Sequence, residues 1–165
     1  MERHEIDDEL TTAGAQELLD STSAAHLAYI AKDGSPRVVP VGFFWTGTEF
    51  VISTATTAPK VAALSARPDV SLAIEAGGSP NQARALSVRG RADIEIVDGV
   101  VAEYLAAARK SMDAEAAAEF ERNVRGMYDR MARIAITPQW VRFYDFGAGR
   151  MPKFLQELAD KQQQA

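Results

Sequence analysis

The chain contains no cysteine, which excludes disulfides, thiolate metal sites and a cysteine nucleophile. Only two histidines are present, His4 and His26, so a histidine-rich zinc site is not expected. Nor is there an excess of basic residues. Eighteen Lys and Arg stand against 23 Asp and Glu, and the resulting charge of −5 argues against a nucleic-acid binder. No apolar run approaches the ~18 residues that span a bilayer. The opening MERHEIDDEL has no apolar core of a signal peptide, so a cytoplasmic protein is expected by exclusion. Both G-x-x-x-x-G-K-[ST] and G-x-G-x-x-G are missing, which removes the P-loop and Rossmann readings. Ser53, Ser71 and Ser87 lie in strand contexts and none occupies a G-x-S-x-G elbow. Without a serine–histidine–acid set, nothing supports a hydrolase. Asp93 and Glu95 alternate along one strand and read as a solvated face rather than an acid–base pair.

What is present is a regular alternation of strand and turn chemistry. A first helix is expected over residues 8–19, with Leu10, Ala13, Leu18 and Leu19 on one side. Three β-rich runs follow, at 25–31, 37–45 and 49–55, separated by KDGSP and TGT, whose glycines supply positive φ. Strands joined by turns this tight form an antiparallel meander. A helix over 59–66, a fourth strand at 69–75 and a fifth at 85–97 come next. Gly90, within the fifth, suggests a bulge or a close backbone approach. Two helices are expected over 98–111 and 113–130, each opening on a capping Asp, then a sixth strand over 132–146 broken at Pro138. A glycine loop and a short helix end the chain. The expected class is α+β, six antiparallel strands closed as a small barrel with peripheral helices, in one domain spanning 1–165.

One corner of this pattern is unusual. STATTAPKVAAL places Lys60 in the first turn of a helix, where the dipole makes a cation mildly unfavourable. Ser53, Thr54, Thr56 and Thr57 add hydroxyls, and Pro59 suits a first helical position. The segment is either a threonine-capped surface helix with an exposed lysine or a phosphate-binding corner. Upstream, Pro40 inside a strong strand marks an edge or rim, and Gly42 leaves room for a flat ring near the backbone.

The order of these segments resembles the pyridoxamine 5′-phosphate oxidase-like split-barrel superfamily. The matching residues are Asp33-Gly34-Ser35-Pro36, then Ser53-Thr54, then Lys60, Leu64, Pro68, Val70 and Leu72, with VRGRADI and TPQWVRFYDF further on. The resemblance covers roughly residues 8–147, with residues 98–130 as a helical insertion and 147–165 as a C-terminal loop, helix and tail. It implies a homodimer of six-stranded split barrels that binds FMN or the deazaflavin F420 at the subunit interface. By the same resemblance, Lys60 contacts the cofactor phosphate, with Ser53, Thr54, Thr57 and Pro59 nearby. Arg37, Val39, Pro40, Val41 and Gly42 belong to the strand beneath the ring, and Trp140 and Arg142 reach a cofactor site from the last strand. No catalytic residue and no metal ligand is indicated. Gly42 stands where the vitamin B6 oxidases carry a second lysine, so pyridoxamine phosphate oxidation is not expected, and F420 is placed slightly ahead of FMN. The implied activity is hydride transfer from reduced F420 or FMN to a small conjugated substrate. The alternative is a non-catalytic carrier of a cofactor or another planar ligand such as haem.

Overall fold

The computed structural model describes residues 1–22 and 24–163. The expected first helix is two helices, α1 (Arg3–Thr11) and α2 (Ala13–Ser21), because Thr12 adopts an extended conformation at φ −59°, ψ 142°. Its hydroxyl donates to the Glu9 carbonyl at 3.1 Å, a back-bond that competes with helix continuation. The Gln16 amide then takes up the Leu10 carbonyl at 2.5 Å, so the break leaves that acceptor satisfied. Both helices bury their apolar stripes (Ile6, Leu10, Ala15, Leu18, Leu19) in the main core.

Seven strands form the sheet: β1 (Ala24–Ile30), β2 (Pro36–Gly42), β3 (Phe44–Trp45), β4 (Phe50–Ala55), β5 (Asp69–Ala76), β6 (Arg84–Asp98) and β7 (Arg130–Asp145). Their order is β2-β1-β5-β6-β7-β4-β3, with every neighbouring pair antiparallel. The α+β class is therefore as expected, but the strand count and the closure are not. The run expected over 37–45 divides at Phe43, which turns fully into the core, and its halves lie at opposite edges of the sheet. The ladder stays open: β2 lies against β4 without pairing to it.

Lys110 fixes this division. Its ammonium donates to the Leu19 and Thr22 carbonyls at 2.7 and 3.1 Å and lies 4.2 Å from the Phe43 ring centroid. Partial burial pushes its pKa down, while Asp20 pulls it up more weakly. Lys110→Met keeps the stem and removes the donors. It is expected to lower stability by about 1–2 kcal/mol, the cost of leaving such acceptors unpaired, as chemical denaturation would measure.

Four further helices complete the chain: α3 (Pro59–Ala66), α4 (Ala102–Arg109), α5 (Ala114–Met127) and α6 (Lys153–Gln163). Asp113 caps α5 as expected, accepting from the Ala116 N–H at 2.8 Å. Asp98 does not cap α4. It ends β6 and pairs with Arg130 at 3.2 Å, and Val101 is the residue preceding α4. Helix α4 covers β3 and β4. The alternate residues of β1, β2 and β5 (Ala24, His26, Val38, Pro40, Ala73) are exposed instead. One face of the sheet thus carries an apolar surface, with Val38 65% and Ile30 37% accessible. No helix of the described residues is long and apolar enough to cross a membrane.

Candidate functional site

Helix α3 begins without a side-chain cap. Its N-cap is Ala58, not one of the threonines, which removes the threonine-capped reading of this helix. Pro59 has no N–H, and the Val61 N–H goes back to the Ala58 carbonyl at 2.9 Å. The Lys60 N–H is left without a backbone partner among the described residues. None of the ion pairs among the described residues includes Lys60 or Arg89.

Two cavities flank the β1–β2 hairpin near this corner. The smaller, about 240 Å³, is lined by Pro59, Tyr29, Ala31, Lys32, Asp33 and Arg37. The larger is a groove of about 570 Å³ whose walls include Tyr29, Arg37, Val38, Val70, Arg89 and Trp140. Tyr29 and Arg37 contribute to both, while Ala28, Ile30 and Val38, which alternate with them along β1 and β2, line only the groove, so the two cavities lie on either side of the β1–β2 hairpin. Asp33 shapes the hairpin by accepting from the Ser35 hydroxyl and N–H, at 2.5 and 2.9 Å, and from Arg37 at 3.3 Å. Those bonds from Ser35, aided by the Arg37 charge, hold its carboxyl below the usual range.

The sequence-derived residues are thus only partly gathered. Pro59 and Arg37 line the smaller cavity, Arg37 and Trp140 line the groove, and Lys60 lines neither. Val39 and Val41 turn to the core, whereas Pro40 and Gly42 face the open side of the sheet, with Pro40 opposite His26. Ser53 and Thr54 point to opposite faces of β4, as strand alternation requires. Ser53 sits across from Arg133, and its hydroxyl is buried with no hydrogen-bond partner among the described residues. Arg133 is itself held by Glu103, at 3.0 and 2.7 Å. Thr57 is exposed at the turn into α3.

Arg142 is engaged within the chain. It donates to Glu9 at 2.9 Å, and the same carboxylate takes the Phe143 N–H at 2.8 Å and an Arg150 guanidinium. Burial alone would raise the Glu9 pKa. The Phe143 N–H and the two arginines outweigh it and hold the carboxyl below its ordinary value. Arg142 therefore docks α1 onto β7, and it does not line the groove.

Sequence reasoning passed over Tyr29, Arg89 and Gln139, all of which line the groove. The available signal was the pair of local irregularities at Gly90 and Pro138. They stand opposite each other in the β6–β7 ladder, at a shift of register beside Arg89.

The antiparallel α+β architecture and its groove first define a fold class. The chain then belongs to the pyridoxamine 5′-phosphate oxidase family, whose model matches residues 11–145. Solved structures agree. A conserved hypothetical protein from Mycobacterium tuberculosis aligns at 20% identity and TM-score 0.60, covering 92% of this chain and 89% of its own. An F420 reductase aligns at 26% identity and TM-score 0.59, covering 79% of this chain and 98% of its own. A haem-binding protein from Mycobacterium smegmatis aligns at 25% identity and TM-score 0.56, covering 86% of this chain and 57% of its own. Among curated proteins, no relative matches the chain.

Proposed function

We propose that the chain is an oxidoreductase that works with a phosphate-bearing flavin or deazaflavin, F420 ahead of FMN, on a small conjugated substrate. The observation that carries this reading is the start of α3, where no side chain caps the helix, the Lys60 N–H has no backbone partner among the described residues, and Pro59 lines a cavity with Tyr29 and Arg37. A groove walled in part by Trp140 lies on the open face of the same hairpin. These residues fit a phosphate: Lys60 supplies charge and a free N–H, Pro59 fixes the backbone, and Thr57 offers a hydroxyl. The bound cofactor would supply hydride-transfer chemistry, and the chain would bind and orient it. Pro40 and Gly42 keep a low profile on the open side of β2, where a flat ring can approach. The likeness to an F420 reductase supports F420, and Gly42 in place of a second lysine speaks against pyridoxamine phosphate oxidation.

The open sheet face fits a second copy of the chain, so a homodimer with the cofactor at the interface is part of the proposal. Light scattering should give a mass twice that of the chain, and a monomer at all concentrations would remove this part.

Lys60→Ala tests the corner. FMN binding should weaken about tenfold, the loss of one charge-assisted hydrogen bond, and riboflavin, which lacks the phosphate, should be unaffected. F420 should follow FMN. Unchanged affinity for FMN and F420 in the variant would falsify the phosphate assignment.

A second reading, a non-catalytic carrier of a planar cofactor or haem, is supported by His26. Its ring is half exposed on the open face, with Nδ1 3.9 Å from a Glu75 carboxylate oxygen, which leaves Nε2 available for ligation. Titration with haemin separates the two readings: a Soret band lost in His26→Ala favours the carrier.

A further inference from the structure

We propose that the groove beside Trp140 is a subsite for a planar anionic substrate, an aryl carboxylate in chemical class, recognised by Arg89. This deepens the reading above and rests on it for the name substrate. The binding chemistry rests on the groove alone.

The β6–β7 ladder is irregular at this point. Arg89 pairs with Trp140 and Gly90 with Pro138, so Gln139 is the extra residue of a bulge. Pro138 has no N–H to give to a regular ladder. A side chain on Gly90 would put its Cβ 2.6 Å from the Thr137 carbonyl oxygen, so only glycine lets the strands close. Bulges re-aim side chains, and here Arg89, Gln139 and Trp140 all line the groove.

Charge singles out Arg89 within that lining. Arg37 is paired with Asp33 at 3.3 Å, and Asp69 faces Arg91 at 3.6 Å. Arg89 has no carboxylate partner among the described residues. Its guanidinium carbon lies 4.3 Å from the Trp140 ring centroid. The indole orders the cation without consuming its in-plane N–H donors, which suit a planar carboxylate in a bidentate pair. Ala28, Ile30 and Val38, on the same face of the sheet as Arg89, supply apolar wall for the attached ring. The volume, about 570 Å³, lies within the ordinary range for small-ligand sites, on the order of 300–1,000 Å³.

The test uses naphthalene-2-carboxylate and the isosteric naphthalene-2-carboxamide, titrated calorimetrically into the full chain. The wild type should bind the acid about tenfold more tightly than the amide, the worth of a charge-assisted pair. Arg89→Gln should abolish this preference through loss of the acid alone, and Arg89→Lys should keep part of it. Arg89 is exposed and unpaired, so an unchanged thermal midpoint in the glutamine variant establishes that the fold is intact. Lys60→Ala should leave the preference in place. If that variant also keeps full FMN and F420 affinity, the cofactor reading fails while the subsite stands. Equal affinities for acid and amide in the wild type, no saturable binding of the acid, or a preference that survives in Arg89→Gln overturns the proposal.

Discussion

Glu9→Ala should lower the thermal midpoint by roughly 6–12 °C, from about 3 kcal/mol of lost stability at about 2–4 °C per kcal/mol for a chain of this size. The carboxylate is 8% accessible and ties α1 to β7 through Arg142, Arg150 and the Phe143 N–H. Removing it leaves a buried N–H unpaired and two arginines without their counter-ion. Both arginines are 40% or more exposed and can rehydrate, which keeps the loss at the lower end for a broken buried pair. Glu9→Gln retains one acceptor oxygen but turns an amide donor toward the guanidinium groups, so an intermediate loss is expected. The pH dependence has a definite sign. The folded-state pKa of Glu9 lies below its ordinary 4.5, so its stabilisation is present above pH 4.5 and is lost as the pH falls through the folded value. The gap in midpoint between wild type and Glu9→Ala should therefore be largest near neutrality and close in acid. A gap that is constant from pH 7 down to pH 3 would show that helix docking, not the ionised carboxylate, carries the effect.

The fold was legible wherever periodicity and turn chemistry acted locally. KDGSP and TGT turn as their glycines require, at φ 84° for Gly34 and 98° for Gly47, and the alternation of Val70, Leu72 and Ile74 places β5 in the core. The failures lie where a distant contact decided the outcome. Residues 37–45 look like one strand, and only the burial of Phe43 beneath a lysine far along the chain, Lys110, divides them. The helix over 8–19 looks continuous because a threonine is compatible with helix, and its break depends on side-chain bonds at Thr12 and Gln16. The same distinction governs the site. The start of α3 at Pro59 was readable because a helix start is a local object. The Arg142–Glu9 pair was not legible because Glu9 comes from the other end of the chain. Ser53 and Thr54 were grouped by adjacency, whereas strand alternation separates neighbours. Arg89 owes its placement to Gly90 facing Pro138 across the ladder, a pairing of residues far apart in the chain.

That pairing of irregularities yields the second large effect, at Gly90. Gly90→Ala would set a methyl carbon 2.6 Å from the Thr137 carbonyl oxygen and 2.9 Å from Ile136 Cγ2. The nearer obstacle is backbone, which cannot rotate away, so β6 and β7 must separate at the bulge. Overpacking of this kind costs about 1–3 kcal/mol, and the rigid obstacle favours the upper part of that range. Gly78→Ala is the internal control. Its added Cβ meets nothing within 4 Å, its φ is not in the left-handed region, and its midpoint should match the wild type. Stability alone would not distinguish a bulge that shapes a site from one that merely accommodates a proline. Trp140 does, because Arg89 stacks on it directly beside the bulge. In a Trp45→Phe background, where Trp140 is the sole tryptophan, Gly90→Ala should shift its emission, and Gly78→Ala should not. A destabilised Gly90→Ala with unaltered Trp140 emission would mean that the bulge serves the ladder and leaves Arg89 where it was.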